Sequence, residues 1–231
     1  MGEQIEIQAG AATSAGYLAV PAAGAGPGVL VLHAWWGLTP TFTAVCDRLA
    51  EAGFVALAPD LHAGQTATTI AEAEALLKTQ SAGHSAAALG GLDALWAQPG
   101  RTGAQVGIIG FSMGAAWALD LASARPDQVS AAVMFYGAWE PDFATSQAAY
   151  LGHFAEDDAF DPVEVAYAME AAIRAVGRAI TLHVYPGTQH WFFEPDRPEY
   201  DPAATALAWE RTIAFLREQL GEAPPSERTA T

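Results

Sequence analysis

Ser112 stands in the pentapeptide Gly110-Phe111-Ser112-Met113-Gly114. A serine hydroxyl in such a setting can attack an acyl carbon if the chain turns sharply around it. The small flanking residues let neighbouring backbone come close, and a strained turn lifts the hydroxyl above the end of a sheet. The pattern alone recurs by chance and also describes an ordinary glycine-bounded turn. Its context narrows the reading. An apolar run, VGII, leads into it and a helical stretch, AAWALDLA, follows it. That strand–turn–helix setting is what a nucleophile elbow requires.

An unassisted hydroxyl is a weak nucleophile, so a base and an orienting acid must be found. In folds built around such an elbow they follow the serine in the order acid, then histidine. Three histidines lie downstream of Ser112: His153, His183 and His190. His153 and His183 fall inside the apolar runs YLGHFA and ITLHVY, where a packed core position is the usual explanation. His190 lies beyond a strand, in a loop begun by Pro186 and Gly187. A base on a loop at the carboxyl edge of a sheet can reach the serine, so His190 is the expected base. The acid is expected in AEDDAFDP, where Glu156, Asp157, Asp158 and Asp161 all qualify by type. Most of these belong to a solvated acidic loop. Asp161, ahead of Pro162, could equally cap the helix expected at 162–176. Position alone does not separate Asp157 from Asp158.

A developing oxyanion needs two preorganised N–H donors. One is expected from Met113, directly after the serine. The other is expected from Trp35, in the loop His33-Ala34-Trp35-Trp36-Gly37. Aromatic side chains gather in the segments expected around this point: Trp35, Trp36, Tyr136, Trp139, Phe160, Trp191 and Phe192. They are candidates for an acyl or alcohol pocket, although any one of them could simply pack the core.

These groups need a scaffold. IEIQA (5–9) and GYLAVP (16–21) read as a hairpin, and VLVLHA (29–34) as a strand buried on both faces. The pattern then alternates: helix 40–52, strand 55–59, helical region 68–97, strand 106–110 and helix 113–124. Strands 130–136, 149–155 and 179–185 follow, with helices 162–176 and 202–219. Gly83, Gly90 and Gly91 are expected to interrupt the helical region 68–97. Strands alternating with helices give an α/β fold: a mostly parallel central sheet with helices on both faces. One domain is expected over 1–220, with a frayed tail at 221–231.

Composition limits the partners. The chain has 231 residues, 52% of them hydrophobic, so a sizeable core is available. Its formal charge of −16 repels nucleic acid and anionic membrane surfaces. The single Cys46 excludes an intramolecular disulfide and reads as a small buried hydrophobe. The amino terminus lacks a basic region followed by an apolar stretch, and no apolar run is long enough to span a bilayer. The expected location is cytoplasmic, as a monomer or homodimer. No histidine pair has the H-E-x-x-H spacing, so neither a metal nor another cofactor is expected.

The sequence resembles the dienelactone hydrolase family of the α/β-hydrolase superfamily from about Ile5 to Leu220. The resemblance rests on VLVLHAWWGL, GFVALAPDL, VGIIGFSMGA, YLGHFAEDDAFDP and YPGTQHWFFEP. It implies the α/β-hydrolase fold, and it aligns Asp158 with the family's acid and His190 with its histidine. Two departures stand out. The family's founding enzymes use a cysteine nucleophile, helped by a glutamate in the loop that here reads HAWWG; this chain has Ser112 and Ala34. Those enzymes also grip a substrate carboxylate with arginines, one of them four residues past the histidine, where this chain has Glu194, an acidic side chain expected to repel a carboxylate. The stretch 62–100 contains no arginine, and Lys78 is its only cation. A Ser-His-Asp hydrolase of small neutral esters or lactones is therefore expected. Thioester or other acyl bonds are the alternative within enzymes, and a catalytically silent small-ligand-binding domain is the alternative outside them.

Overall fold

A computed structural model describes residues 2–221, except for the side chains of 80–82. The expected tail, apart from Gly221, lies outside the described residues. Strands β1 (Glu3–Ala9) and β2 (Ala12–Ala19) form the hairpin. Then follow β3 (Gly26–Leu32), α1 (Pro40–Glu51), β4 (Val55–Pro59), α2 (Ile70–Trp96), β5 (Arg101–Phe111), α3 (Met113–Ala124) and β6 (Val129–Phe135). The chain continues through β7 (Ala149–Ala155), α4 (Val163–Ala175), β8 (Ile180–Tyr185) and α5 (Pro202–Leu220). One eight-stranded sheet runs in the order β1-β2-β4-β3-β5-β6-β7-β8. From β4 to β8 neighbouring strands are parallel, and β2 joins β4 antiparallel. This is the expected α/β class.

Strand β3 shows why the sheet is covered on both sides. All seven of its residues are buried. Val29 and Val31 face one core with Phe42 and Leu49 of α1 and Ala208 and Leu216 of α5. Leu30 and Leu32 face the other, with Leu92 of α2, Leu119 of α3 and Met169 of α4. A continuous apolar run satisfies both faces at once, which alternation could not do.

Helix α2 departs from expectation. Its 27 residues run without a break through all three glycines. Gly90 serves contact: a Cβ there would collide with the Gln8 carbonyl, so the missing side chain lets α2 lie close against β1. Cys46 is fully buried, and burial pushes its thiol well up, so it packs as a hydrophobe. Among the described residues, no helix is long and apolar enough to cross a membrane.

The chain steps from β3 to β4 on one side and back across β3 to β5 on the other. Loops leaving the carboxyl ends of β3 and β5 diverge there, and open α/β sheets place ligands in that crevice.

Candidate active site

Ser112 sits between β5 and α3 at φ +50°, ψ −115°, a backbone conformation that costs a non-glycine residue energy. Its surroundings hold it there. The Ser112 N–H donates to Phe135 O at 2.9 Å, tying the turn to β6. A Cβ at Gly110 would strike the Gly114 carbonyl, and one at Gly114 would strike the Leu32 carbonyl. Both glycines of the pentapeptide are thus required by close approach.

The loops after β7 and β8 bring the other two groups. Ser112 Oγ lies 2.8 Å from His190 Nε2, and His190 Nδ1 lies 2.7 Å from Asp158 Oδ2. A carboxylate only accepts, so Nδ1 carries the proton and Nε2 presents its lone pair to the hydroxyl. The other Asp158 oxygen, Oδ1, accepts the N–H groups of Phe160 at 2.8 Å and Asp161 at 2.9 Å. His190 and Asp158 are both buried.

The remaining acids point elsewhere. Glu156 is exposed and accepts the Gly187 N–H, and Asp157 is exposed. Asp161 does not cap α4, contrary to one reading of the sequence. Pro162 takes the cap position without a side-chain bond, while Asp161 turns back toward the Ala138 N–H at 3.4 Å. Burial pushes its carboxyl up. His153 is fully buried between Tyr185 and Thr212, at 2.8 and 3.0 Å. His183 stacks on it, 5.9 Å away.

Met113 N–H begins α3 beside the serine, and Trp35 N–H lies in the loop after β3. Among the described residues neither meets a backbone acceptor. Trp35, Trp191 and Phe160 form one aromatic wall beside the imidazole: Phe160 lies 5.7 Å from Trp35, 4.8 Å from Trp191 and 5.1 Å from His190. Trp36 is buried behind this wall, 5.1 Å from Trp191. Trp139 is not part of it. It is half exposed, and its indole N–H donates to Asp120 of α3 at 2.9 Å. Tyr136 is fully buried, with its ring 5.0 Å from the His190 ring, and Phe192 packs on it. These two rings pack behind His190 and are closed off from solvent. Besides Ser112, Tyr136 (φ +38°) and Trp191 (φ +68°) also hold left-handed backbone.

Two groups of residues stand otherwise than the sequence reading had them. The first is Glu194, whose expected role was an acidic side chain repelling anions. It is buried, and its Oε1 accepts the Tyr136 hydroxyl at 2.8 Å. Burial pushes its carboxyl up from an ordinary 4.5 to about 8, with the Tyr136 bond opposing. Below that pH it is neutral, so it does not supply the expected repulsion. The folded protein holds this proton between pH 4.5 and about 8 while the unfolded chain does not. Its contribution to stability is therefore complete below 4.5 and is lost as pH rises through that window. Glu194→Gln is expected to flatten the fall in melting temperature between about pH 5 and 8.5. At the upper end the variant should be the more stable by an amount on the order of a few kcal/mol. Parallel melting curves for the two proteins would refute this. The second group is a trio of histidines, His33, His62 and His84, packed against the loop that carries Trp35. The signal was present: His33 and His62 end two runs, VLVLH and VALAPDLH, that pair as neighbouring parallel strands.

Comparison with known proteins agrees with this architecture. Protein usf of Aquifex pyrophilus is 31% identical, the match covering 95% of this chain and all of the relative. A dienelactone hydrolase-like promiscuous phosphotriesterase from metagenomic libraries superposes with a TM-score of 0.85 at 27% identity, over 96% of this chain and 99% of the other. The dienelactone hydrolase of Anabaena variabilis gives a TM-score of 0.70 at 25% identity, over 95% and 98% of the two chains. Residues 14–220 match the dienelactone hydrolase family as a whole. With that match added to the α/β fold, the chain belongs to the dienelactone hydrolase family of hydrolases.

Proposed function

We propose that this protein hydrolyses small, neutral carboxylic esters or lactones through an acyl intermediate on Ser112. One observation carries the reading: an unbroken hydrogen-bonded path from the Asp158 carboxylate through His190 to the Ser112 hydroxyl, at 2.7 and 2.8 Å. His190 Nε2 takes the proton of Ser112 Oγ as that oxygen attacks the ester carbonyl. Asp158 holds the imidazole in register and stabilises the imidazolium. The Met113 and Trp35 N–H groups receive the oxyanion. As the tetrahedral intermediate collapses, His190 returns the proton to the departing alcohol. A water, deprotonated by the same nitrogen, then attacks the acyl-serine and releases the acid, restoring Ser112. The chain's own groups and water suffice for every step.

The site's surroundings favour an uncharged substrate. The wall of Trp35, Trp191 and Phe160 offers apolar contact beside the imidazole. Glu194 provides no cation. Arg197 stacks 4.0 Å over the Trp36 ring and sits 3.5 Å from Asp196, which engages its charge. The overall charge of −16 steers anions away. In a panel of matched p-nitrophenyl esters with and without a terminal carboxylate, the neutral member should have the higher kcat/KM, by roughly tenfold or more at low salt. A preference for the carboxylate-bearing ester would overturn the substrate class, and no turnover of either would overturn the esterase reading.

A further inference from the structure

The loop that presents the Trp35 N–H is gripped from its other side. His33 Nδ1 lies 2.7 Å from Ala34 O, and His62 Nε2 lies 3.0 Å from Trp35 O. A carbonyl oxygen only accepts, so both ring nitrogens donate. In a neutral imidazole the second nitrogen must then accept. His33 Nε2 does so from the Leu61 N–H at 2.9 Å, and His62 Nδ1 faces His84 Nε2 at 3.1 Å. His84 therefore donates, and one tautomer satisfies both nitrogens of His33 and of His62. All three are buried, and burial pushes His33 down to about 3 and His84 down to about 4. The 3.9 Å approach of His33 to Asp60 is accordingly not an ion pair.

Peptide geometry turns these bonds into an aiming device. In a trans peptide the carbonyl and N–H point in opposite directions. Ala34 C=O and Trp35 N–H belong to one peptide, so His33 fixes that N–H to the far side by holding the carbonyl. His62 holds the carbonyl of the next peptide, which joins Trp35 to Trp36, and so pins the other end of the residue that carries the donor. We infer that His33, His62 and His84 are positioning residues that aim the Trp35 N–H at the oxyanion. This rests on the proposed acyl-serine mechanism. His84, on α2, acts only through His62: its N–H keeps the His62 proton on Nε2, where the Trp35 carbonyl needs it. Without that donor, the His62 proton can move to Nδ1 and leave a lone pair against the carbonyl.

A misaimed donor costs transition-state binding and leaves substrate binding alone. In steady-state hydrolysis of a neutral p-nitrophenyl ester, His62→Leu should lower kcat by roughly 10- to 100-fold with KM unchanged within about twofold. Affinity for an alkyl boronic acid, whose adduct on Ser112 places an oxygen where the oxyanion forms, should fall by a similar factor. His62→Gln keeps a donor nitrogen near the Nε2 position and should recover most of the loss. His84→Leu should show a smaller fall with the same split. A folded His62→Leu protein with wild-type kcat, or a glutamine variant no better than leucine, would overturn the inference. If His62→Leu does not fold, His84→Leu decides by the same criteria, an unchanged kcat overturning it. Ser112→Ala separates the two levels. If that variant still hydrolyses the ester, the serine mechanism itself fails; if it is inactive while the histidine variants match wild type, only the positioning role fails.

Discussion

Ser112→Ala is expected to reduce kcat for p-nitrophenyl acetate by roughly 10⁴- to 10⁶-fold, since the nucleophile and its base act as a unit. Stability should barely move, because the side-chain hydrogen bond lost is the one to His190. A fluorophosphonate should label wild-type protein at Ser112, and the alanine variant should take up none. The chemistry predicts this selectivity, because only an oxygen beside a basic nitrogen is nucleophilic enough at neutral pH to displace fluoride. An unlabelled Ser112 in folded protein would refute the mechanism, as would a variant as fast as wild type. The single cysteine offers no rival nucleophile, being fully buried on α1 with its thiol pushed up.

Asp158→Asn is expected to lower kcat by about 10⁴ with little change in KM. The size follows from how the side chain is pinned. Oδ1 already accepts two backbone N–H groups, from Phe160 and Asp161. An asparagine must keep its carbonyl oxygen there, because its amide nitrogen cannot accept. The NH₂ group then takes the place of Oδ2 and faces His190 Nδ1, donor against donor. The imidazole relieves this by moving its proton to Nε2, which now points at the serine and cannot take a proton from it. Asp157→Asn, one residue away and exposed, should behave like wild type. Rate profiles of the two variants across pH distinguish them: a loss shared equally by both would mean that the loop's overall charge matters and that the Asp158–His190 bond does not.

The architecture was legible because its signals are local. VLVLHA announces a strand covered on both faces, and the alternation of such runs with amphipathic stretches gives a parallel sheet. The elbow was legible for the same reason, since its glycines lie two residues either side of Ser112 and their need arises within that turn. Choosing His190 over His153 and His183 also used local information, the difference between a loop and a strand. Separating Asp158 from its neighbours did not. Oδ1 and Oδ2 are distinguished only by partners in the folded loop, and composition could not choose among four acids. Glu194 misled for a related reason. A carboxylate is read as charged until its burial and its tyrosine partner, 58 residues away in sequence, are known. The glycines of α2 misled because propensity weighs a residue against its own helix, whereas Gly90 answers to β1 lying across it.

The proposed base hangs from the margin of the sheet. Strand β8, which leads to His190, has a single neighbour, β7, whose own loop carries Asp158. The serine stands just past the end of β5, a strand in the covered centre of the sheet. Thermal opening begins at seams like the one between the last two strands and reaches the middle later. Local opening of that outer seam would part hydroxyl from imidazole while most of the molecule stayed intact, so the working life of each copy depends on this edge as well as on the firmness of the interior.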